Sequence, residues 1–320
     1  MQVLHPKLAD LRIAIILPCF NEEQAIVQVI SAFKSALPEA VIHVFDNNST
    51  DRTAELALAA GAAVSHVAEK GKGNVVRRMF ADVEADIYLM TDGDCTYDVS
   101  VAGKLVNKLL AENLDMVVGT RIDRGETENY RRGHRFGNQV LTGSVMRIFG
   151  GEFSDMLSGY RVFSRRFVKS FPALTRGFEI ETELTIHALA LRMPCGEVET
   201  RYGSRPDESE SKLSTYRDGF RILKTIGRLY MVERPLQFFS ISGFILAAAS
   251  IILAIPVFQE YFITGLVPRL PTAVLATGLM LSALLSFGCG LLLDNVTRGR
   301  QELRRLAYLS IPGVAHKDKK

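Results

Sequence analysis

Two aspartates flanking a single glycine, Asp92-Gly93-Asp94, follow the apolar run IYLM at residues 87–90. Neighbouring carboxylates repel one another and are costly to desolvate, so a pair at the end of a buried strand calls for a cation. A divalent metal answers that need: two carboxylates hold it, and diphosphate oxygens fill its remaining positions. Such an ion cancels the repulsion and stabilises a departing nucleoside diphosphate. Gly71-Lys72-Gly73-Asn74 lets backbone approach a nucleotide, with Lys72 or Arg77 beside it. It lacks the length and ending of a P-loop, and no GxGxxG follows the first apolar run, which argues against a dinucleotide oxidoreductase. Arginines and lysines near these acids suit two phosphates, one leaving and one attacking. A phosphate acceptor is already ionised at neutral pH, so the reaction asks for positioning and charge neutralisation more than for a strong base. Asp155, in SDMLSGYR, is the candidate to orient the acceptor or act as base; the alternative is a carboxylate that only structures its loop. Glu179 and Glu181, in GFEIE, come next, and they also read as acids opening a helix. His134 and His187 have no second ligand at useful spacing and read as structural.

These residues need a scaffold, and the chain supplies an alternating one. Apolar runs at 13–17, 41–45, 63–66, 86–90 and 115–119 are separated by helical patterns at 22–37, 51–60, 73–83 and 99–112. Strand–helix alternation with short links predicts a doubly wound, mostly parallel sheet. Such sheets bind ligands at the carboxyl ends of their strands. Four runs end there in polar clusters: Pro18-Cys19-Phe20-Asn21-Glu22, Asp46 to Asp51, Asp92-Gly93-Asp94 and Gly119-Thr120-Arg121. One such cluster is a helix cap; four at one edge predict a site. Residues 121–210 read as less regular and rich in arginine.

The chain has 320 residues, 48% of them hydrophobic and 23% charged, with a net charge of +3. That balance carries no signal for nucleic acid. Cys19, Cys95, Cys195 and Cys289 are scattered, which argues against a disulfide framework and suits a reducing compartment. The N-terminus is polar and residues 13–17 are too short for a signal-peptide core. The excess apolar mass lies near the C-terminus: 25 residues without a charge between Arg234 and Glu260, and 24 between Arg269 and Asp294. A helix of ~20 apolar residues spans a bilayer. Arg217, Arg221, Lys224, Arg228 and Arg234 precede the first run, and Arg298, Arg300, Arg304 and Arg305 follow the second. The positive-inside rule then predicts a membrane hairpin with both flanks cytoplasmic. Residues 214–233 place Tyr216, Phe220, Leu223, Ile226 and Tyr230 on one helical face, predicting a helix in the headgroup plane. The expected organisation is a catalytic domain at 1–210, the interface helix at 211–234, the hairpin at 235–293 (spans near 236–258 and 272–293) and a basic cytoplasmic tail at 294–320.

The segments LPCFNEE, FDNNSTDRT, EKGKGN, TDGDCTYD, VGTR, SDMLSGYRVF, GFEIETEL and RPDESESKLS, in this order, resemble family 2 glycosyltransferases. More narrowly the set is similar to polyprenyl-phosphate glycosyltransferases of the dolichol-phosphate mannose synthase type, over about residues 11–232. The resemblance implies a GT-A fold, a nucleotide-sugar donor, Mg²⁺ or Mn²⁺, and undecaprenyl or dolichyl phosphate as acceptor. It implies Pro18, Phe20 and Glu22 in the nucleotide pocket, Phe45 and Asn47 near base and ribose, and Asp92 and Asp94 on the metal, with Asp94 central to catalysis. Relatives usually carry two acids where this chain has Asp46-Asn47, and a stronger ligand where it has Thr96. Arg121 matches a contact to the lipid phosphate, with Arg131 or Arg135 as its partner, and Arg205 and Lys212 match residues that close over the diphosphate. The expected enzyme is an inverting hexosyltransferase using a UDP- or GDP-sugar, integral to a bacterial inner membrane, with catalytic domain and termini cytoplasmic. A family 2 enzyme acting on another lipid-linked saccharide and a catalytically silent membrane scaffold are the alternatives, and a homo-oligomer stays open.

Overall fold

The computed structural model describes residues 11–122, 132–151, 153–175, 177, 179–203 and 215–314. Seven strands form one sheet: β1 (Ile13–Cys19), β2 (Val41–Asp46), β3 (Ala63–His66), β4 (Ile87–Met90), β5 (Met116–Ile122), β6 (Arg161–Ser164) and β7 (Cys195–Arg201). Their order is β3-β2-β1-β4-β6-β5-β7. All neighbours pair in parallel except β6, which runs antiparallel between β4 and β5. This is the mostly parallel sheet that the alternation predicts. The segment read as irregular contributes two of its strands, β6 and β7.

Among the described residues ten α-helices accompany these strands: α1 (Ile26–Ala36), α2 (Thr53–Ala59), α3 (Lys72–Asp82), α4 (Ala102–Ala111), α5 (Arg132–Phe149), α6 (Arg165–Ser170), α7 (Ile180–Ala190), α8 (Thr215–Glu233), α9 (Pro235–Thr264) and α10 (Leu270–Leu309). The pleat divides the core in two. Ile13, Ile15 and Leu17 of β1 and Ile87 and Leu89 of β4 pack with α1 and α4 on one face. Ala14 and Ile16, with Tyr88 and Met90, pack with α3, α6 and α7 on the other. Strands apolar on both faces are what a parallel sheet covered by two helix layers requires. Each fully buried Leu or Ile contributes about 1.5–3 kcal/mol.

In α7 every residue from Ile180 to Ala188 is buried. His187 sits there with its ring edge-on to Phe167 and Phe171, and its Nε2 3.4 Å from Ser170 Oγ. Burial first, and the charge of Arg304 second, push its pKa down to about 3. The imidazole is therefore neutral in the folded chain and protonates readily only when unfolded. The stability it contributes is present above the unfolded value near 6.5 and is lost as pH falls below it. Between pH 7 and 5 the wild type should lose about 2 kcal/mol that a His187→Leu variant does not. Melting in detergent, followed by circular dichroism, reads this; parallel pH profiles for the two proteins would refute it.

By compactness the chain divides into residues 1–224 with 304–320, and residues 225–303. In the first unit, Asp115 at the amino end of β5 is fully buried and bonds Ser164 Oγ, Arg166 and the hydroxyl of Tyr308. On α8 the expected single apolar stripe is split: Phe220 and Leu223 are exposed beside Lys224, whereas Ile226 is buried.

The second unit holds two helices long and apolar enough to cross a membrane. Only 17% of the apolar window of each is buried, so neither is a core helix of the described chain. Proline at its start and Gly265 at its left-handed C-cap delimit α9, whereas α10 runs past its apolar stretch, so residues 294–309 of the expected tail are helical. Gly243, Ser250 and Val257 on α9 and Ala276, Ala283, Gly290 and Thr297 on α10 are buried at seven-residue spacing. Ser250 Oγ donates to the Ala276 carbonyl at 2.6 Å, and Ser286 Oγ to the Phe239 carbonyl at 2.9 Å. Small residues at this period let two apolar helices approach closely. A Cβ on Gly290 would sit 3.1 Å from the Cβ of Phe239. Gly290→Leu should therefore unfold at a lower SDS fraction in mixed micelles than Leu291→Ala, which alters an exposed position. Equal transitions for the two variants would count against the packing.

Candidate active site

The sheet topology brings the motifs to one edge. The carboxyl ends of β1, β2, β4 and β5 lie there because these strands share a direction. The antiparallel β6 begins at that edge, so its preceding loop, residues 155–159, arrives beside them. The start of α7 is there too, since Glu181 reaches Lys72.

Two charge clusters are built at this edge. In the first, the Lys72 ammonium lies 2.5 Å from Asp92 Oδ1 and 2.7 Å from Glu181 Oε1. Burial alone would depress the lysine pKa; attraction to Asp92 and Glu181, and hydrogen bonds to both, raise it instead. Glu181 Oε2 is buried and makes no hydrogen bond among the described residues. Asp94 is buried, and its Oδ1 accepts from the Thr96 hydroxyl at 2.6 Å and the Thr96 amide at 3.2 Å. Between them Gly93 is required: a Cβ there would meet Cys19 Sγ at 2.6 Å. Cys95 adopts φ +59°, a left-handed conformation costly for such a residue and typical of strained functional turns.

In the second cluster, Arg121 grips Asp155 with both arms of its guanidinium, Nε to Oδ2 at 2.7 Å and Nη2 to Oδ1 at 2.8 Å. The Tyr202 ring lies 5.4 Å from that guanidinium. Tyr202 packs on Tyr97, and Tyr97 on Tyr160. The Tyr97 hydroxyl accepts from the Gly159 amide at 2.9 Å, and Ser158 Oγ donates to the Gly119 carbonyl at 2.6 Å.

Gly159 closes against the first cluster. A Cβ there would stand 3.0 Å from Asp92 Oδ2 and 3.1 Å from Lys72 Nζ. Gly159→Ala should thus displace the Lys72–Asp92 contact and lower turnover about tenfold or more, roughly the worth of one charged hydrogen bond. Steady-state kinetics check this; a variant within twofold of wild type would refute it.

Other expected residues take different places. Glu22 is buried, its amide on Thr53 Oγ1, and Phe20 is exposed. Pro18 is half-buried at the carboxyl end of β1. Phe45 is 1% exposed inside the core and offers no ring face to a ligand. The Asn47 amide donates to the carbonyls of Val67 and Glu69 and accepts from the Gly71 amide, so it clamps the loop leading to Lys72. Glu179 is buried one residue before α7. Arg131, Arg205 and Lys212 lie outside the described residues, and Arg135 falls in α5, its side chain undescribed. The sequence reading passed over Tyr97 and Arg161, although both stand within the quoted motifs TDGDCTYD and SDMLSGYRVF.

A mixed seven-stranded sheet with carboxylates and cations along its carboxyl edge is the arrangement of a GT-A glycosyltransferase. Residues 14–171 match the family model described as Glycosyl transferase family 2. The chain is 33% identical to glycosyltransferase AglJ of Haloferax volcanii over 300 residues, 93% of this chain and 98% of that one. It belongs to glycosyl transferase family 2. It is also 28% identical over 222 residues to a dolichyl-phosphate hexose transferase of Haloferax volcanii, covering 69% of this chain and 95% of that protein. A solved structure of glucosyl-3-phosphoglycerate synthase from Mycobacterium tuberculosis, in complex with Mn²⁺, UDP-glucose and phosphoglyceric acid, is similar with a TM-score of 0.54 at 26% identity. That likeness covers 68% of this chain and 81% of the other.

Proposed function

We propose that this glycosyltransferase moves a hexose from a UDP- or GDP-sugar to polyprenyl phosphate at the cytoplasmic face of a membrane. The observation that carries the reading is the pair of charge clusters, Lys72–Asp92–Glu181 and Arg121–Asp155, at the carboxyl edge of the sheet. One phosphate leaves and another attacks in this reaction, and each needs its own cations. The name of the Haloferax volcanii relative, a dolichyl-phosphate hexose transferase, and that of the Mn²⁺ and UDP-glucose complex support the same chemistry.

Asp92 and Asp94 are hard oxygen donors, the set that Mg²⁺ and Mn²⁺ take, and two carboxylates leave positions for diphosphate and water. They fit such an ion, which when bound would offset the charge of the leaving diphosphate. Lys72 adds a cation on the same side. Arg121 is the acceptor-phosphate residue: a guanidinium that holds a carboxylate bidentately holds a phosphate in the same way. The incoming phosphate competes with Asp155 for that fork, and Asp155 orients the exchange. A phosphate oxygen bonds to the sugar's anomeric carbon as the bond to the diphosphate breaks, which inverts the configuration. Phe20, Glu22 and Pro18 border the donor, and Arg205 and Lys212 cover its diphosphate. The apolar helices α9 and α10 form the membrane hairpin, with both termini cytoplasmic by the arginine bias.

The test is a screen of UDP- and GDP-sugars with purified protein, Mg²⁺ or Mn²⁺, and undecaprenyl phosphate, with products identified by mass spectrometry. A glycosyl-phospholipid is the expected product. Turnover only with another lipid-linked saccharide, or none with any donor, would reject the reading.

A further inference from the structure

Arg161 is fully buried at the first position of β6, and no carboxylate lies within 4 Å of it among the described residues. Its guanidinium is spent instead on backbone, a hydroxyl and the Met116 sulfur. Nε donates to the Ser158 carbonyl at 2.9 Å, Nη2 to the Met156 carbonyl, and Nη1 to Thr185 Oγ1 at 2.9 Å. Thr185 Oγ1 in turn donates to the Glu181 carbonyl at 3.1 Å. Burying a charge is a poor way to gain stability, because desolvation offsets most of what the contacts return. A rigid fork is, however, well suited to fixing two carbonyls and a hydroxyl at set spacings.

The groups it fixes are telling. Met156 and Ser158 belong to the loop that opens with Asp155 and ends with Gly159. Thr185 is one helical turn from Glu181. Arg161 therefore grips, from inside the core, the loop that carries Asp155, the partner of Arg121, and the helix that carries Glu181, a partner of Lys72. Burial disfavours its charge, and the acids that offset this most are Glu181 and Asp155, one from each cluster.

We propose that Arg161 is a positioning residue whose buried fork, seated between the 155–159 loop and α7, sets the two charge clusters at the separation that transfer requires. It touches neither donor nor acceptor. The inference rests on the proposed function for its kinetic readout but not for its structural one.

The experiment compares wild type with Arg161→Lys and with Thr185→Val, which removes the hydroxyl that joins Arg161 to the Glu181 carbonyl, and so two hydrogen bonds, at nearly constant volume. Hydrogen exchange by mass spectrometry should show faster exchange in peptides spanning 153–160 and 179–186 in both variants, with residues 11–122 unchanged. In the transfer assay, kcat should fall about 100-fold for Arg161→Lys and about 10-fold for Thr185→Val, while the KM for the nucleotide sugar stays within threefold. If Arg161→Lys does not fold, Thr185→Val carries the test alone. Uniformly faster exchange across the domain would make Arg161 a general stabiliser and overturn the proposal. So would a kcat within threefold of wild type in both variants. If wild type itself turns over no donor, the functional reading fails, while the exchange pattern still decides the role of Arg161.

Discussion

Asp94→Asn should lower transfer by roughly 10²–10³-fold, the range seen when one preorganised electrostatic group is removed from a reaction that develops charge. The protein should stay folded. Asp94 is 1% exposed and uses Oδ1 to accept the Thr96 amide and hydroxyl, and an asparagine carbonyl accepts the same two bonds. What the substitution removes is a unit of charge and one hard anionic donor, the property that a divalent cation recognises. Chelation of wild type with EDTA should reproduce the loss, and Mg²⁺ or Mn²⁺ should restore wild type but not the variant at the same concentration. Circular dichroism melting shows whether folding is spared. Full wild-type activity in EDTA would remove the metal from the reaction, and a variant within threefold of wild type would remove Asp94.

Of the strands that the sequence declares, β1, β4 and β5 are buried on both faces, β2 mainly on one, and β3, at the sheet edge, on neither. IAIIL, IYLM and MVVG became β1, β4 and β5 because an unbroken apolar run between turn residues has few other places to go, while VIHVF and AVSH became β2 and the edge strand β3 beside them. β6 was hidden because it is four residues long and starts on an arginine, which reads as surface. Arg161 is instead among the most deeply buried residues of the chain, neutralised by carbonyl dipoles that no local pattern announces. β7, CGEVETR, mixes half-buried and exposed positions at a sheet edge, and its alternation is too weak to separate from a loop.

The candidate site divides along similar lines. Asp92 and Asp94 stand out because acids at a strand end are locally odd, and the odd feature is visible in three residues. The partner of Lys72 is Glu181, 109 positions later, and nothing in either segment names the other. Arg121 and Asp155 were each singled out, for different work, and the fold joins them in one bidentate pair. Phe45 and Asn47 show the converse. A ring and an amide at a strand end look available, yet the core takes Phe45 and a neighbouring loop takes every polar group of the Asn47 side chain that is described. Side-chain direction at a strand end depends on which face the pleat presents, and that follows from register rather than composition.

Lys72→Met should damage both stability and turnover, and the two losses can be separated. The ammonium is 9% exposed and stands between Asp92 Oδ1 at 2.5 Å and Glu181 Oε1 at 2.7 Å. Methionine fills nearly the same volume without the charge, leaving two carboxylates to face one another. Breaking a buried pair in this way costs ~3–5 kcal/mol. The Asp92 side chain is 31% exposed, so water screens part of the repulsion and the lower end, about 3 kcal/mol, is the expected figure. For a unit of this size that corresponds to a fall in Tm of roughly 6–12 °C. Turnover should fall by roughly 10²–10³-fold, because a cation beside the leaving diphosphate is lost as well. Lys72→Met with Glu181→Gln removes one of the facing charges and should recover most of the Tm. Turnover should not recover with it, since the lost ammonium is not replaced. A double variant that regains activity together with stability would reduce Lys72 to a counter-ion for two acids. So would a single variant whose kcat, corrected for the folded fraction, stays within tenfold of wild type.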